Sequence, residues 1–221
     1  MWIKESSEKG KRLKDMYSVS GIDVFIKDKL PEDIDAEFVF NYVSSRLPAH
    51  LIDGVDIIYI GQFPRMKQKG INAYYEDGAV YVTNQQSDDM DMIDDIIHEI
   101  AHACEEMYMD QIYGDGAIVR EFTAKRNNLA VILQTLYEVP ENFTYKVEYD
   151  KEIDNFLQNE VGYTVLNQLV TGIFPSAYAA TSVNEYFARG FEEFFIGDRK
   201  NLKNTCQVLY RVLYSLISTE D

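Results

Sequence analysis

The chain has 221 residues, 46% of them hydrophobic and 26% charged, which is enough apolar content for one substantial core and too little charge for a disordered composition. With 37 Asp and Glu against 21 Lys and Arg, the formal net charge is −16, a surface that repels nucleic-acid phosphates and anionic membranes and argues against both as partners. The N-terminal stretch has no apolar h-region or small-residue cleavage site and no apolar run is long enough to span a bilayer, so the expected location is cytoplasmic.

Residues 1–20 are polar and mixed in charge, and are expected to form a loose peripheral segment. "GIDVFIKD" alternates as a strand, and "PEDIDAEFVFNYVSSRLP" reads as a helix with Pro31 near its start and Pro48 stopping it. "VDIIYIGQF" is a β-branched and aromatic strand, and "INAYYEDGAVYVTN" is a hairpin turning at Asp77-Gly78. A helix follows from near Ser87. Beyond it, "REFTAKRNNLAVILQTLYEV", "KEIDNFLQNEVGYTVLNQLV", "SVNEYFARGFEEFF" and "NLKNTCQVLYRVLYSLI" all carry apolar residues at helical spacing, with "YEVPENFTYKVEY" as a loop. The expected class is α+β within a single domain over 1–221. A sheet lobe with a small mixed sheet and the histidine helix covers 21–107, and a mostly helical lobe covers 108–221. Two cysteines, Cys104 and Cys206, rule out a disulfide framework, and Cys104 on an apolar helix face reads as a buried thiol.

The helix after Ser87 contains "IIHEIAHACEE", residues 96 to 106, with His98 and His102 four positions apart. One turn of helix stacks such residues on one face, so both imidazoles can reach one ion. Glu99 is rotated by about 100° from His98, out of easy ligand reach but able to meet a water on the metal. That is the mechanical content of the His-Glu-x-x-His zinc motif. The opposite face, Ile93, Ile96, Ile97, Ile100, Ala101 and Cys104, forms a burying stripe, and aspartates crowd the first turns where the helix dipole favours them. The plainer alternative is an amphipathic helix with histidines on its polar side. His50, in "LPAHLIDG", has no such partner and reads as a surface or satisfied histidine.

A catalytic zinc site takes three protein ligands and leaves a position open. No third histidine stands at a suitable spacing, so the remaining ligand should be a carboxylate, and two compete. Glu121 follows His102 after 18 intervening residues, and Glu185 after 82. "EFTAKR" around Glu121 carries Lys125 and Arg126, a pair suited to a solvated face. Asn184-Glu185-x-Phe187-Ala188 looks like the ligand helix of glutamate-type zincins, with a small Ala188 permitting close helix approach. Ser182-x-x-Glu185 is also a capping box, and Glu185 with Arg189 an i,i+4 pair, so a glutamate here has reasons without a metal.

"YAATSVNEYFARGFEEFF" resembles the distal part of the catalytic domain of anthrax lethal factor and its relatives. In that family a Tyr stands seven positions before the ligand Glu, with a Thr and an Asn between; Tyr178, Thr181, Asn184 and Glu185 take those places here. The likeness covers residues 55 to 217 in order of elements but only the two short motifs in residues, and a long helical insertion separates those motifs. The resemblance implies a zincin-like fold of the gluzincin type, one Zn2+ per chain held by His98, His102 and Glu185, and Glu99 as general base. It also implies that Tyr178 faces the metal, where its hydroxyl can support an oxyanion. The expected activity is zinc-dependent hydrolysis of a peptide or protein substrate, with "GAVYVTN", Gly78 to Asn84, as the sheet edge that pairs with it. The alternatives are a non-catalytic zinc-binding protein whose site is closed by Glu105 or Glu106, and a hydrolase of a non-peptide amide.

Overall fold

The computed structural model describes residues 16–19 and 21–218. The expectation of a loose segment over residues 1–20 lies outside the described residues, except that Met16–Val19 form a strand, β1, paired antiparallel with β2, Ile22–Ile26. The chain divides into two compact units, Met1–Cys104 and Glu105–Asp221, and the boundary falls inside the histidine helix. No helix among the described residues is long and apolar enough to cross a membrane.

The first unit is built on a mixed five-stranded sheet in the order β1-β2-β3-β5-β4, with β3 at Ile57–Ile60, β4 at Ala73–Glu76 and β5 at Ala79–Val82. Strands β2, β3 and β5 run parallel, while β4 pairs antiparallel with β5 through the expected hairpin. Asp77 (φ 49°) and Gly78 (φ 79°) are both left-handed, the primed turn that Asp-Gly favours. One face of the sheet carries the buried side chains of Val24, Ile58, Ile60, Val80 and Val82. On the other face, Phe25, Tyr59, Tyr81 and Tyr74 share one row across four strands. Tyr81 stacks on Tyr74 at 4.5 Å and on Tyr59 at 5.1 Å, and such aromatic cross-strand pairs lock the register.

This order corrects the edge assignment. β5 is bonded on both sides, so the segment 78–84 is not an edge; β4 takes that place at its end of the sheet. Alternation of apolar and polar residues reports which face of a strand is buried and says nothing about its neighbours, which is why the sequence misplaced it.

Helix α1, Ala36–Arg46, begins later than Pro31 suggests, because Asp35 accepts the Phe38 N–H at 3.1 Å and caps it there. The short helix α2, Pro64–Lys69, was not expected, although Pro64 at its first position and left-handed Gly70 after it are helix boundary signals. The histidine helix is α3, Asp89–Met107.

The second unit is helical: α4 (Met109–Tyr113), α5 (Ala117–Leu133), α6 (Lys151–Asn155), α7 (Tyr163–Leu169), α8 (Val183–Phe195), α9 (Arg199–Thr205) and α10 (Gln207–Leu216). Two of the four expected helices are broken. The 151–170 stretch passes through a π turn, Phe156–Val161, and stops at Gly162, whose φ of 79° no helix accommodates. The last helix breaks at Cys206, with backbone at φ −126° and ψ 69°. Helix α8 is the centre of this unit: Tyr186, Phe187, Ala188, Phe191 and Phe194 are buried, and α5, α9 and α10 pack around it. At Gly190 the approach is closest, since an added Cβ would lie 2.2 Å from Leu209 Cδ2.

Candidate metal centre

Helix α3 is held at its start by reciprocal capping: the Asp91 N–H donates to Asp88 Oδ1 at 2.9 Å and the Ser87 N–H to Asp91 Oδ2 at 3.1 Å. Its stripe of Ile93, Ile96, Ile97, Ile100, Ala101 and Cys104 is wholly buried. That burial fixes the helix's rotation and so the direction of the opposite face. There the rings of His98 and His102 stand 4.9 Å apart, edge to face at 82°. Both are half-buried, while Glu99 between them in sequence is only 7% exposed. A buried carboxylate is not what a simple solvated helix face would carry.

Helix α8 is held at its start by Ser182, whose Oγ accepts the Glu185 N–H at 3.2 Å, so Glu185 lies in the first turn as the capping pattern predicts. Just upstream, Tyr178 begins a 3-10 turn, Tyr178–Ala180, and Thr181 Oγ1 donates back to the Tyr178 carbonyl at 2.8 Å. The Tyr178 ring lies against Tyr163, 6.4 Å between centroids, and under the Arg189 guanidinium at 5.5 Å. Arg189 forms an ion pair with Glu192 at 2.7 Å. Burial, reinforced by the charge of Glu185, pushes the Tyr178 hydroxyl well above the ordinary tyrosine range. Burial also pushes Tyr163 up, to about 12, with Asp154 and then Glu185 adding to it. Tyr163 therefore stands beside Tyr178 in the field of Glu185. Nothing in "EVGYTVL" distinguishes it from the chain's other tyrosines.

Ligand atoms of His98, His102 and Glu185 lie within 4.8 Å of one another, the one such group of three or more His, Cys, Asp or Glu residues among the described residues. Ligands about 2.0–2.2 Å from a tetrahedral ion lie about 3.3–3.6 Å apart, inside the 4.8 Å bound on this group. Two imidazoles and one carboxylate are also the donor types that a zinc site with an open position uses. The set thus fits the ion.

The other carboxylates are occupied elsewhere. Glu121 accepts the Tyr186 hydroxyl at 2.8 Å and the Val208 and Leu209 N–H groups at 2.9 and 3.0 Å, which satisfies the start of α10. Glu105 is buried and accepts from the Asn184 side chain at 2.6 Å and from the Tyr113 hydroxyl. Asn184 directly precedes Glu185, and Glu105 follows His102 by three residues on the same helix, so this bond ties the start of α8 to the last turns of α3. Glu106 is exposed.

Lys125 and Arg126 do not form a solvated face. Lys125 Nζ donates to the Ile173 and Thr205 carbonyls at 2.6 and 2.7 Å. Arg126 is fully buried between the rings of Phe122 and Phe143 and donates to the carbonyls of Phe143, Lys146, Ala180 and Thr181. Burial holds its guanidinium down to about 10. The long stem and planar fork of arginine let a charged residue work inside a core, a use that charge alone does not reveal. Its last two acceptors lie just before Ser182 and Glu185. His50, in a short 3-10 turn, is half-buried, and both cysteines are buried free thiols.

The chain matches no protein-family model, no curated protein and no solved structure.

Proposed function

We propose that the chain is a zinc-dependent endopeptidase of the gluzincin type, similar in plan to the lethal factor catalytic domain. The observation that carries this reading is the group of His98, His102 and Glu185, with buried Glu99 next to the first ligand. Zinc, when bound, supplies a Lewis acid that acidifies a water and polarises a carbonyl. Glu99, buried beside the first of the residues that would hold the ion, would accept a proton from the attacking water and pass it to the leaving nitrogen. Tyr178, kept as a neutral donor by its burial, hydrogen-bonds the oxygen on which negative charge develops. Asn184 and Ser182 hold the first turn of α8, and so the carboxylate of Glu185, in place. An extended substrate adding to the sheet would pair with β4 rather than β5.

A closed, purely structural zinc site needs a fourth protein ligand. Glu105 is engaged by Asn184 and Tyr113, and Glu106 does not belong to the group, so the open site is favoured. The test is cleavage of a broad peptide library together with zinc content. Glu99→Gln is expected to keep zinc and lose cleavage. Full cleavage by Glu99→Gln would remove the general base, and with it this mechanism.

A further inference from the structure

Residues 199–217 carry four of the chain's 21 lysines and arginines and none of its 37 acids. On a chain of net charge −16 this is an inverted patch, and it coincides with a cavity. The cavity, of about 720 Å³, is lined by Lys203, Asn204, Gln207, Tyr210, Arg211 and Tyr214 of α9 and α10. Its size falls in the range of ligand-holding clefts.

Most of the lining is exposed, and Arg211 is steadied by a hydrogen bond from its Nε to the Gln207 carbonyl at 3.2 Å. Tyr210 is anchored on buried Phe194 at 5.4 Å and stacks with Tyr214 at 6.3 Å and 20°, and Tyr214 is left 54% exposed. Lys203 lies 5.6 Å over the Tyr210 ring. Among the described residues neither Lys203 nor Arg211 has an acidic partner, whereas Lys27, Arg65 and Arg189 each do. The side-chain amides of Asn204 and Gln207 likewise make no hydrogen bond among the described residues. Rigid tyrosines flanked by arginine are the residue types that carry binding energy at protein interfaces.

We propose that this groove docks an acidic, extended segment of another protein. Lys203 and Arg211 take its carboxylates, Tyr210 and Tyr214 an aromatic or aliphatic side chain, and the two amides its backbone. A carboxamide both donates and accepts, which matches a peptide backbone, whereas a phosphate group only accepts. The proposal does not rest on the metal reading.

The test is fluorescence anisotropy with the full chain and a fluorescein-labelled peptide of glutamates around one phenylalanine. The controls are the same peptide with glutamine for glutamate and an oligothymidylate of equal charge. The acidic peptide is expected to bind with salt-sensitive affinity, and the glutamine peptide roughly tenfold more weakly. The double variant Lys203→Glu, Arg211→Glu should bind the acidic peptide at least about tenfold more weakly, and Tyr214→Ala should weaken both peptides alike. Because these residues are exposed, an unchanged thermal midpoint confirms that the variants are folded. The proposal is overturned if the two peptides bind equally, if the double variant binds like wild type, or if the oligothymidylate binds more tightly than the acidic peptide. It is also overturned if sedimentation shows self-association that the double variant abolishes, since the occupant is then a second copy.

Discussion

Arg126 offers the sharpest test of how the second unit is held together. It donates to four backbone carbonyls, two in the 140s loop and two in the turn that leads into α8. Hydrogen bonds from a charged donor contribute about 1.5–3 kcal/mol each, so the gross stabilisation is roughly 6–12 kcal/mol. Burial works against it: a shift from 12.5 to about 10 disfavours the charged form by about 3 kcal/mol. Arg126→Met keeps the stem and the contact with Phe122 and Phe143 but leaves four carbonyls without their donor. The expected loss is about 3–5 kcal/mol, a large part of the stability of a domain this size. Arg126→Lys retains the charge without the fork and should fall between Met and wild type. Urea unfolding followed by circular dichroism measures both variants. A loss under about 1 kcal/mol for Arg126→Met would show that water replaces the guanidinium freely, and the reasoning would fail.

Gly190→Ala drives a Cβ to 2.2 Å from Leu209 Cδ2 and should cost about 1–3 kcal/mol, a loss that Leu209→Ala in the same chain partly relieves; additive losses would argue against the contact. Glu121→Ala removes the acceptor for Tyr186 and for two α10 amides, so it should lower stability by about 1–3 kcal/mol while zinc content is unchanged. Alkaline pH should unfold the protein. Tyr113, Tyr163, Tyr178 and Tyr186 all have raised pKa values in the fold, burial being the largest cause, so the unfolded chain gives up these protons first, near pH 10. The stability they lend is whole below about pH 10 and falls as pH rises through the folded value of about 12 at Tyr163. Tyrosinate absorbance should rise together with loss of circular dichroism, and complete ionisation in a still-folded chain would contradict this.

The elements that the sequence disclosed are those whose signal is local. Asp77-Gly78 demands a primed turn, the apolar stripe of α3 demands burial, and Ser182 three residues before Glu185 demands a cap; all three are present. What it hid depends on partners distant in the chain. The place of β5 inside the sheet follows from parallel pairing with β3, which alternation cannot report. Arg126 reads as a surface charge until Phe143, Ala180 and Thr181 close around it. For the candidate site, the two histidines and Glu99 were legible as spacing on one helix. Glu185 and Glu121 were both open on spacing, and the solvated face expected beside Glu121 is absent, since Lys125 and Arg126 are bonded inward. Glu185 has ligand atoms within reach of both histidines, and Glu121 is committed to α10.

The measurement that bears most directly on the central claim is zinc content after dialysis against metal-free buffer, for wild type, His98→Ala, Glu185→Ala and Glu121→Ala. The account predicts one zinc per chain in wild type and in Glu121→Ala, and none retained by His98→Ala or Glu185→Ala. A wild type without zinc, or a Glu185→Ala chain that keeps it at full stoichiometry, would contradict the account.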